Sequence, residues 1–344
     1  MNLAKIELEN FRSYRQNEFD FNPQGCLIIG PNGCGKTNLL EAIAYCSIGK
    51  SIRFHNDEEL LNFEGQFFRV QGFFLSDQQT PKKVSLIYAD QRKLLKIDEL
   101  PIRQLSTLLE VIKVIYCAPE DHLLISSSPR FRRQYFDLAI SQLYPSYINV
   151  LRHFLHIVQQ RNAMLKRSYS RAEITSWNLS FASSLAEVWN YRKRYLIKVN
   201  TAFQETFKDI FPASTAISLV YLPSLKLPLE SSPEEIIKHL APIEEREKLL
   251  QRSLAGAHLD DYEFKLKGRK MLTYASQGQK RIAVIILKLI QARLIENVTG
   301  IKPIMLFDDI FAELDTFHSQ QIRNCINNRY QVFIASPKED LCNI

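Results

Sequence analysis

Residues Gly30-Pro-Asn-Gly-Cys-Gly-Lys36-Thr37 fit the pattern G-x-x-x-x-G-K-[ST] without a mismatch. An apolar run, Cys26-Leu-Ile-Ile29, precedes them and predicts a short buried strand. From Lys36 a helical spacing of Leu39, Leu40, Ile43 and Ala44 follows. Strand, glycine loop and helix in that order let backbone N–H groups wrap a phosphate while the positive end of the helix dipole points at the same anion. The whole segment Gly30, Pro31, Asn32, Gly33, Cys34, Gly35, Lys36 and Thr37 is therefore a candidate ATP loop. Lys36 would reach the β- and γ-phosphates and the Thr37 hydroxyl would ligate Mg2+. The feature points to an α/β fold of phosphate-loop type.

Such a loop needs a metal-holding carboxylate at the end of a neighbouring strand. The apolar run Pro303-Ile-Met-Leu-Phe307 ends in Asp308-Asp309 and supplies one. Asp308 is the candidate Mg2+ ligand, directly or through water, and Asp309 is placed to polarise a water. A strand-terminating acidic pair would read the same way. Lys36 and Asp308 lie about 270 residues apart, far more than simple βαβ units occupy, so a large insertion separates the two halves of the site. Just before Asp308, Ser276-Gln-Gly278-Gln279 opens the helix Ile282–Ile295. Ser276 and Gln279 form a capping box, and a helix start bearing Ser and Gly also suits an anion.

Length predicts about two domains, and 46% apolar with 24% charged residues is an ordinary soluble mixture. Strands are expected at Phe67–Phe74, Val84–Ala89, Leu94–Ile97, Val111–Tyr116 and Asp261–Leu266. Beyond Pro129 the periodicity turns helical, with stretches around Leu151–Val158 and from about Ile174 to Phe211. A loop is expected from Leu222 to Pro233, then a charged helix from Pro233 to Leu250. No heptad is sustained, which speaks against a long coiled coil. Six cysteines (Cys26, Cys34, Cys46, Cys117, Cys325, Cys342) lack metal spacing and read as reduced, mostly buried thiols of a cytoplasmic protein. The first ten residues mix acids and bases unlike a signal peptide, and Lys288, Gln291 and Arg293 interrupt the most apolar stretch, so no membrane span is expected.

Gly30–Thr37, Ser276–Gln279 and Pro303–Asp309, followed by Phe311-Ala-Glu-Leu-Asp315, resemble the ATP-binding-cassette heads of DNA-repair and chromosome-maintenance ATPases. Taken with Leu8–Tyr14, Ala118–Asp121, Pro129–Arg133, Asp137, Gln160–Asn162, Leu165-Lys166, Gly256–His258 and Asp260-Asp261, the whole chain resembles the RecF family. The resemblance implies an α/β head with a largely helical second lobe inserted: an ATP-binding lobe of residues 1–118 and 255–344, and a helical lobe of 119–254. It implies an ATP-dependent homodimer in which Gly30–Thr37 of one subunit faces Ser276, Gln277, Gly278 and Gln279 of the other. Lys36 and Asp309 would carry catalysis, Arg12 and Ser13 would sit near the nucleotide, and Asp315 would lie in the D-loop at the dimer seam. ATP and Mg2+ are the implied cofactors, and hydrolysis would be slow. The implied partners are duplex DNA and single-strand gaps, RecO and RecR, and RecA, which such proteins help to place during recombinational repair and SOS induction.

The chain departs from that family's pattern where Leu259 replaces an Arg in Gly256-Ala-His-Leu259-Asp-Asp and where Lys280 replaces a common Gln. The segment after Val332–Pro337 is also shorter than in relatives. A transporter ATPase, the competing class, would carry a switch His after the final strand and a Gly-Gly signature. This chain has no His after His318 and reads Ser-Gln-Gly-Gln. The net charge of +7 favours a polyanionic partner without naming one. Basic groups recur at Arg130, Arg132 and Arg133, at Arg161, Lys166 and Arg167, and at Arg192, Lys193 and Arg194. Lys265, Lys267, Arg269 and Lys270 add a further cluster on an expected hairpin. These suit sequence-independent phosphate contacts or a solvated face, and no single DNA contact is assigned. Trp177 and Trp189 read as core.

Overall fold

Strand alternation opens the chain, broken by three-residue steps from Leu3 to Ile6 and from Leu8 to Phe11. In β1 (Asn2–Phe11) the buried residues are Leu3, Ile6, Leu8 and Phe11. The odd step from Leu3 to Ile6 matches a register shift between Leu3 and Lys5, a bulge that returns the later apolar residues to the core face. β2 (Tyr14–Asp20) follows, then β3 (Gly25–Ile29), which the phosphate loop joins to α1 (Lys36–Ile48). Next come β4 (Phe67–Leu75), β5 (Pro81–Ala89), β6 (Arg92–Ile97), β7 (Leu100–Ile102), α2 (Leu105–Val111) and β8 (Val114–Cys117). The strand expected over Val111–Tyr116 is thus the end of a helix and a shorter strand. The computed structural model describes residues 1–52, 56–76, 78–210, 217–311, 314–326 and 329–337. Phe211, Cys342 and the last seven residues, on which expectations about helix length, thiol burial and the C-terminus fell, lie outside them.

A helix-rich stretch comes next: α3 (Leu123–Ser126), α4 (Pro129–Leu143), α5 (Tyr147–Leu165) and the forty-residue α6 (Arg171–Ile210). β9 (Ile217–Leu222), α7 (Pro233–Leu240), α8 (Glu244–Leu250), β10 (Asp261–Leu266), β11 (Arg269–Lys270) and α9 (Met271–Tyr274) follow. The single charged helix expected over 233–250 is divided by a 3-10 turn, Ala241–Ile243, where Pro242 cannot donate the helical hydrogen bond. α10 (Gln277–Thr299) then leads to β12 (Ile304–Asp308), α11 (Thr316–Ile326) and β13 (Val332–Ser336). No helix among the described residues is long and apolar enough to cross a membrane.

Two compact units result: Met1–Asp121 with Val284–Ile344, and His122–Ala283. The second chain crossing therefore falls at 283/284, not at the expected 254/255. Residues 255–283 go with the helices because β10 pairs antiparallel with β9 in a sheet of order β11-β10-β9.

In the first unit an antiparallel sheet (β2-β1-β4-β5-β6-β7) and a parallel sheet (β3-β13-β12-β8) share one core with α1. Leu39, Leu40, Ile43 and Tyr45 of α1 are buried with Ile6, Phe68 and Leu86 of one sheet and Val114, Leu306 and Phe333 of the other. A helix covered this way needs apolar residues on every side, and from Leu39 to Ile48 each residue is buried. Truncating fully buried Ile43 to Ala would cost about 2–5 kcal/mol. β12 is central in the parallel sheet and buried throughout. β3 is an edge strand and only half-buried, which corrects the expectation of a buried strand there.

The second unit is held by polar hubs as well as apolar packing. Arg161 and Glu247 form a fully buried pair at 2.5 Å, and Arg161 also donates to Asn178 and Ser253. Arg192 donates to Asp137, Tyr147, Tyr221 and the Ala257 carbonyl. Trp189 is core, as expected, with its indole N–H donating to Asp260, and Trp177 packs part-buried against Met164, Leu165 and Ile174.

Candidate functional site

The parallel strands β3, β12 and β8 deliver their C-terminal ends to one place, where open α/β sheets hold their ligands. Pro31 to Cys34 are exposed, and Gly33 and Gly35 have φ of 85° and 104°. Gly35 is obligatory: besides its left-handed backbone, a Cβ there would come 3.0 Å from the Tyr14 hydroxyl and 3.1 Å from Ser13 Oγ. Tyr14 donates to the Gly35 carbonyl at 3.1 Å and Asn38 donates to Ser13 Oγ at 2.9 Å, so the β1–β2 turn braces the loop. Burial and the neighbouring Cys34 thiol raise the Tyr14 pKa, which keeps it a neutral donor.

The first turn of α1 has no side-chain cap and no acid. Its leading N–H groups are therefore available to an anion. Lys36 is 9% exposed and donates to the carbonyl oxygens of Gly30 (2.6 Å) and Pro31 (2.9 Å), which keeps its charge at the loop. Thr37 Oγ1 donates to Asp308 Oδ1 at 3.0 Å, joining residues 271 positions apart. A hydroxyl and a carboxylate beside an ammonium and a glycine cradle form the donor set that Mg2+ and a polyphosphate require.

The second oxygen of Asp308 accepts the Tyr116 hydroxyl at 2.7 Å, a contact that motif reading missed. Lys288 of α10 donates to the Tyr116 carbonyl at 2.5 Å and pairs with Asp121, whose carboxylate also accepts from the Ala118 N–H. One signal was present in the sequence: a lysine in an apolar helix needs a buried partner.

Asp309 is half-buried with φ 51°, and its N–H donates to the Ala335 carbonyl at 3.0 Å, so the chain leaves the sheet in a left-handed step. Arg12 stands at the β1–β2 turn, with Nη1 donating to the Glu59 carbonyl at 2.8 Å and Nε 3.4 Å from fully buried Glu41. Asp315 caps α11 through the His318 N–H at 2.8 Å and also bonds the His318 ring; these two bonds hold its pKa below the usual carboxylate value. In the second unit Ser276 and Gln279 make the reciprocal capping box at 2.9 and 3.2 Å, and Ser276–Gln279 are exposed.

A sequence model of the RecF/RecN/SMC N-terminal domain family matches residues 2–344. The DNA replication and repair protein RecF of Heliobacterium modesticaldum is 33% identical over 344 residues, covering 98% of this chain and 92% of that protein. Its counterpart in Acetivibrio thermocellus is 31% identical over 350 residues, covering 99% and 94%. The chain belongs to the RecF family. The solved structure of the recombination mediator protein RecF-ATP in the RecFOR pathway matches it with a TM-score of 0.91 at 27% identity, covering 98% of this chain and 92% of that one. The fold is accordingly the ATPase head of RecF and SMC proteins with a helical unit inserted.

Lys280 is buried and donates to the Leu272 carbonyl at 2.9 Å, closing the short α9, while Leu259 is 43% exposed. Several basic groups considered for DNA are instead structural. Arg132 holds Asp261 through two bonds, Arg133 donates to the Asp260 carbonyl, and Arg161 and Arg192 are buried. Lys193 pairs with Glu230, Lys265 and Lys270 with Glu263, and Arg167 with Glu173. Arg130, Lys166 and Lys267 are exposed. The thiols are less buried than expected: Cys46 and Cys117 are buried, Cys26 and Cys325 are intermediate, and Cys34 is exposed in the loop.

Proposed function

We propose that this chain is an ATP-switched DNA-binding protein that acts as a recombination mediator. The observation that carries the reading is the Thr37–Asp308 hydrogen bond, which fastens an uncapped, acid-free helix start to the end of a central strand. The backbone N–H groups of Gly33 to Thr37 and the Lys36 ammonium would hold the phosphates of ATP, and Thr37 with Asp308 would hold Mg2+. Bound Mg·ATP supplies a phosphoryl group open to attack by water. Asp309 takes the proton from that water, and Lys36 balances charge on the phosphates. Hydrolysis is slow and serves to time release.

In this reading two heads close around two nucleotides, with Ser276–Gln279 of each completing the other's site and Asp315 at the seam. The dimer engages duplex DNA at single-strand gaps, cooperates with RecO and RecR, and supports RecA loading and the SOS response from the cytoplasm. The exposed basic residues and the +7 charge suit contacts to DNA phosphates, which are sequence-independent and salt-sensitive. Lys36→Met tests the core of the proposal. Calorimetry should find ATP affinity lowered about 100-fold, because losing a charged hydrogen-bond donor costs up to ~3 kcal/mol and every ~1.4 kcal/mol is tenfold. Unchanged affinity would refute the nucleotide assignment.

A further inference from the structure

We infer that Tyr116 is a positioning residue for the metal-holding carboxylate, committing Asp308 to a single oxygen on the side of Thr37. The inference rests on the nucleotide reading above and deepens it.

The sequence around Tyr116, Val114-Ile-Tyr-Cys117, is an apolar strand with one hydroxyl. In the parallel register Tyr116 lies beside Leu306, two residues before Asp308. Residues two apart on a strand share a face, so the Tyr116 ring, leaning along its strand, reaches the carboxylate that follows Leu306. Its hydroxyl donates to Oδ2 at 2.7 Å while Thr37 Oγ1 donates to Oδ1 at 3.0 Å. The two carboxylate oxygens thus have different partners, and the torsion of the carboxyl group is fixed from both sides.

The backbone of Tyr116 is itself fixed. Its carbonyl accepts from Lys288, which is only 4% exposed, and the same ammonium pairs with Asp121 within the following turn, Pro119–His122. The hydroxyl is therefore delivered by a clamped strand end. Mg2+ favours near-ideal octahedral geometry with few carboxylate oxygens and several waters, so an aspartate that offers one oxygen suits it. Tyr116 draws charge from Oδ2 and blocks a two-oxygen grip, leaving Oδ1 beside the Thr37 hydroxyl. Outer hydrogen bonds of this kind commonly govern metal affinity tenfold or more.

The decisive quantity is the factor by which Mg2+ tightens ATP binding, obtained by calorimetry on the full chain in Mg2+ and in EDTA. In Tyr116→Phe, affinity in EDTA should match wild type, because the phosphate cradle is untouched, while the Mg2+-dependent gain should fall about tenfold. A merely structural role would lower both affinities together, and that outcome, or an unchanged Mg2+ gain, would overturn the inference. Wild-type protein that binds no ATP in either buffer would instead overturn the nucleotide reading, and the inference with it.

Discussion

Asp308 and Asp309 are adjacent acids with unlike surroundings. Asp308 is 6% exposed and bonded at both oxygens, by Thr37 and Tyr116, which suits a fixed partner for a cation. Asp309 steps out of the sheet at φ 51° and is half-buried, which suits a group that meets a water. A positioned general base contributes ~10²–10⁴-fold to a rate. Asp309→Asn should therefore bind ATP as wild type does and turn it over at least ~100-fold more slowly; a wild-type rate in a phosphate-release assay would disprove the assignment. Both aspartates could be read from the apolar run that ends at Phe307. Tyr116 could not, because its part depends on which residue of β12 it lies beside, and strand register is not written in a local pattern.

At the scale of elements, those whose signal is local were legible. β10 has the expected bounds, the phosphate loop opens a helix at Lys36, and the Ser276/Gln279 box was visible as S-x-x-Q. Elements decided by their neighbours were not. β3 reads as an apolar buried strand, yet it is half-exposed because it ends a sheet, and Val111 joined a helix although its run of apolar residues suited a strand. The box at Ser276 is a cap in this chain, with its donors satisfied within the turn, and the surrounding side chains are exposed. An exposed helix start of this kind can serve a second surface without being rebuilt. Ser276→Arg should keep ATP binding by the monomer, lose about 1 kcal/mol of capping, and fail to dimerise with ATP. Light scattering that finds a normal ATP-dependent dimer would sink the idea of a site completed in trans.

At the scale of the whole molecule, the long interval between loop and Asp308 correctly announced an insertion, but its boundary was misplaced because the β9–β10 pairing that recruits residues 255–283 is long-range. The inserted unit also carries more buried charge than composition suggests. His258 is a telling member of it: Nδ1 is buried with no hydrogen bond, and the ring packs near Phe154. Burial lowers its pKa to about 4, opposed by Asp260 and reinforced by Arg133, Arg192 and Arg161. The unfolded chain holds this proton with the ordinary histidine value of ~6.5. Unfolding therefore takes up a proton between about pH 6.5 and 4, so this contribution to stability is complete above ~6.5 and is lost as pH falls towards 4. The shift corresponds to roughly 2–3 kcal/mol across that window. Chemical denaturation should show wild type losing that stability between pH 7 and 4.5, while His258→Gln, which cannot titrate, loses much less. Equal losses in the two proteins would show that the acid sensitivity of the molecule lies elsewhere than in this ring.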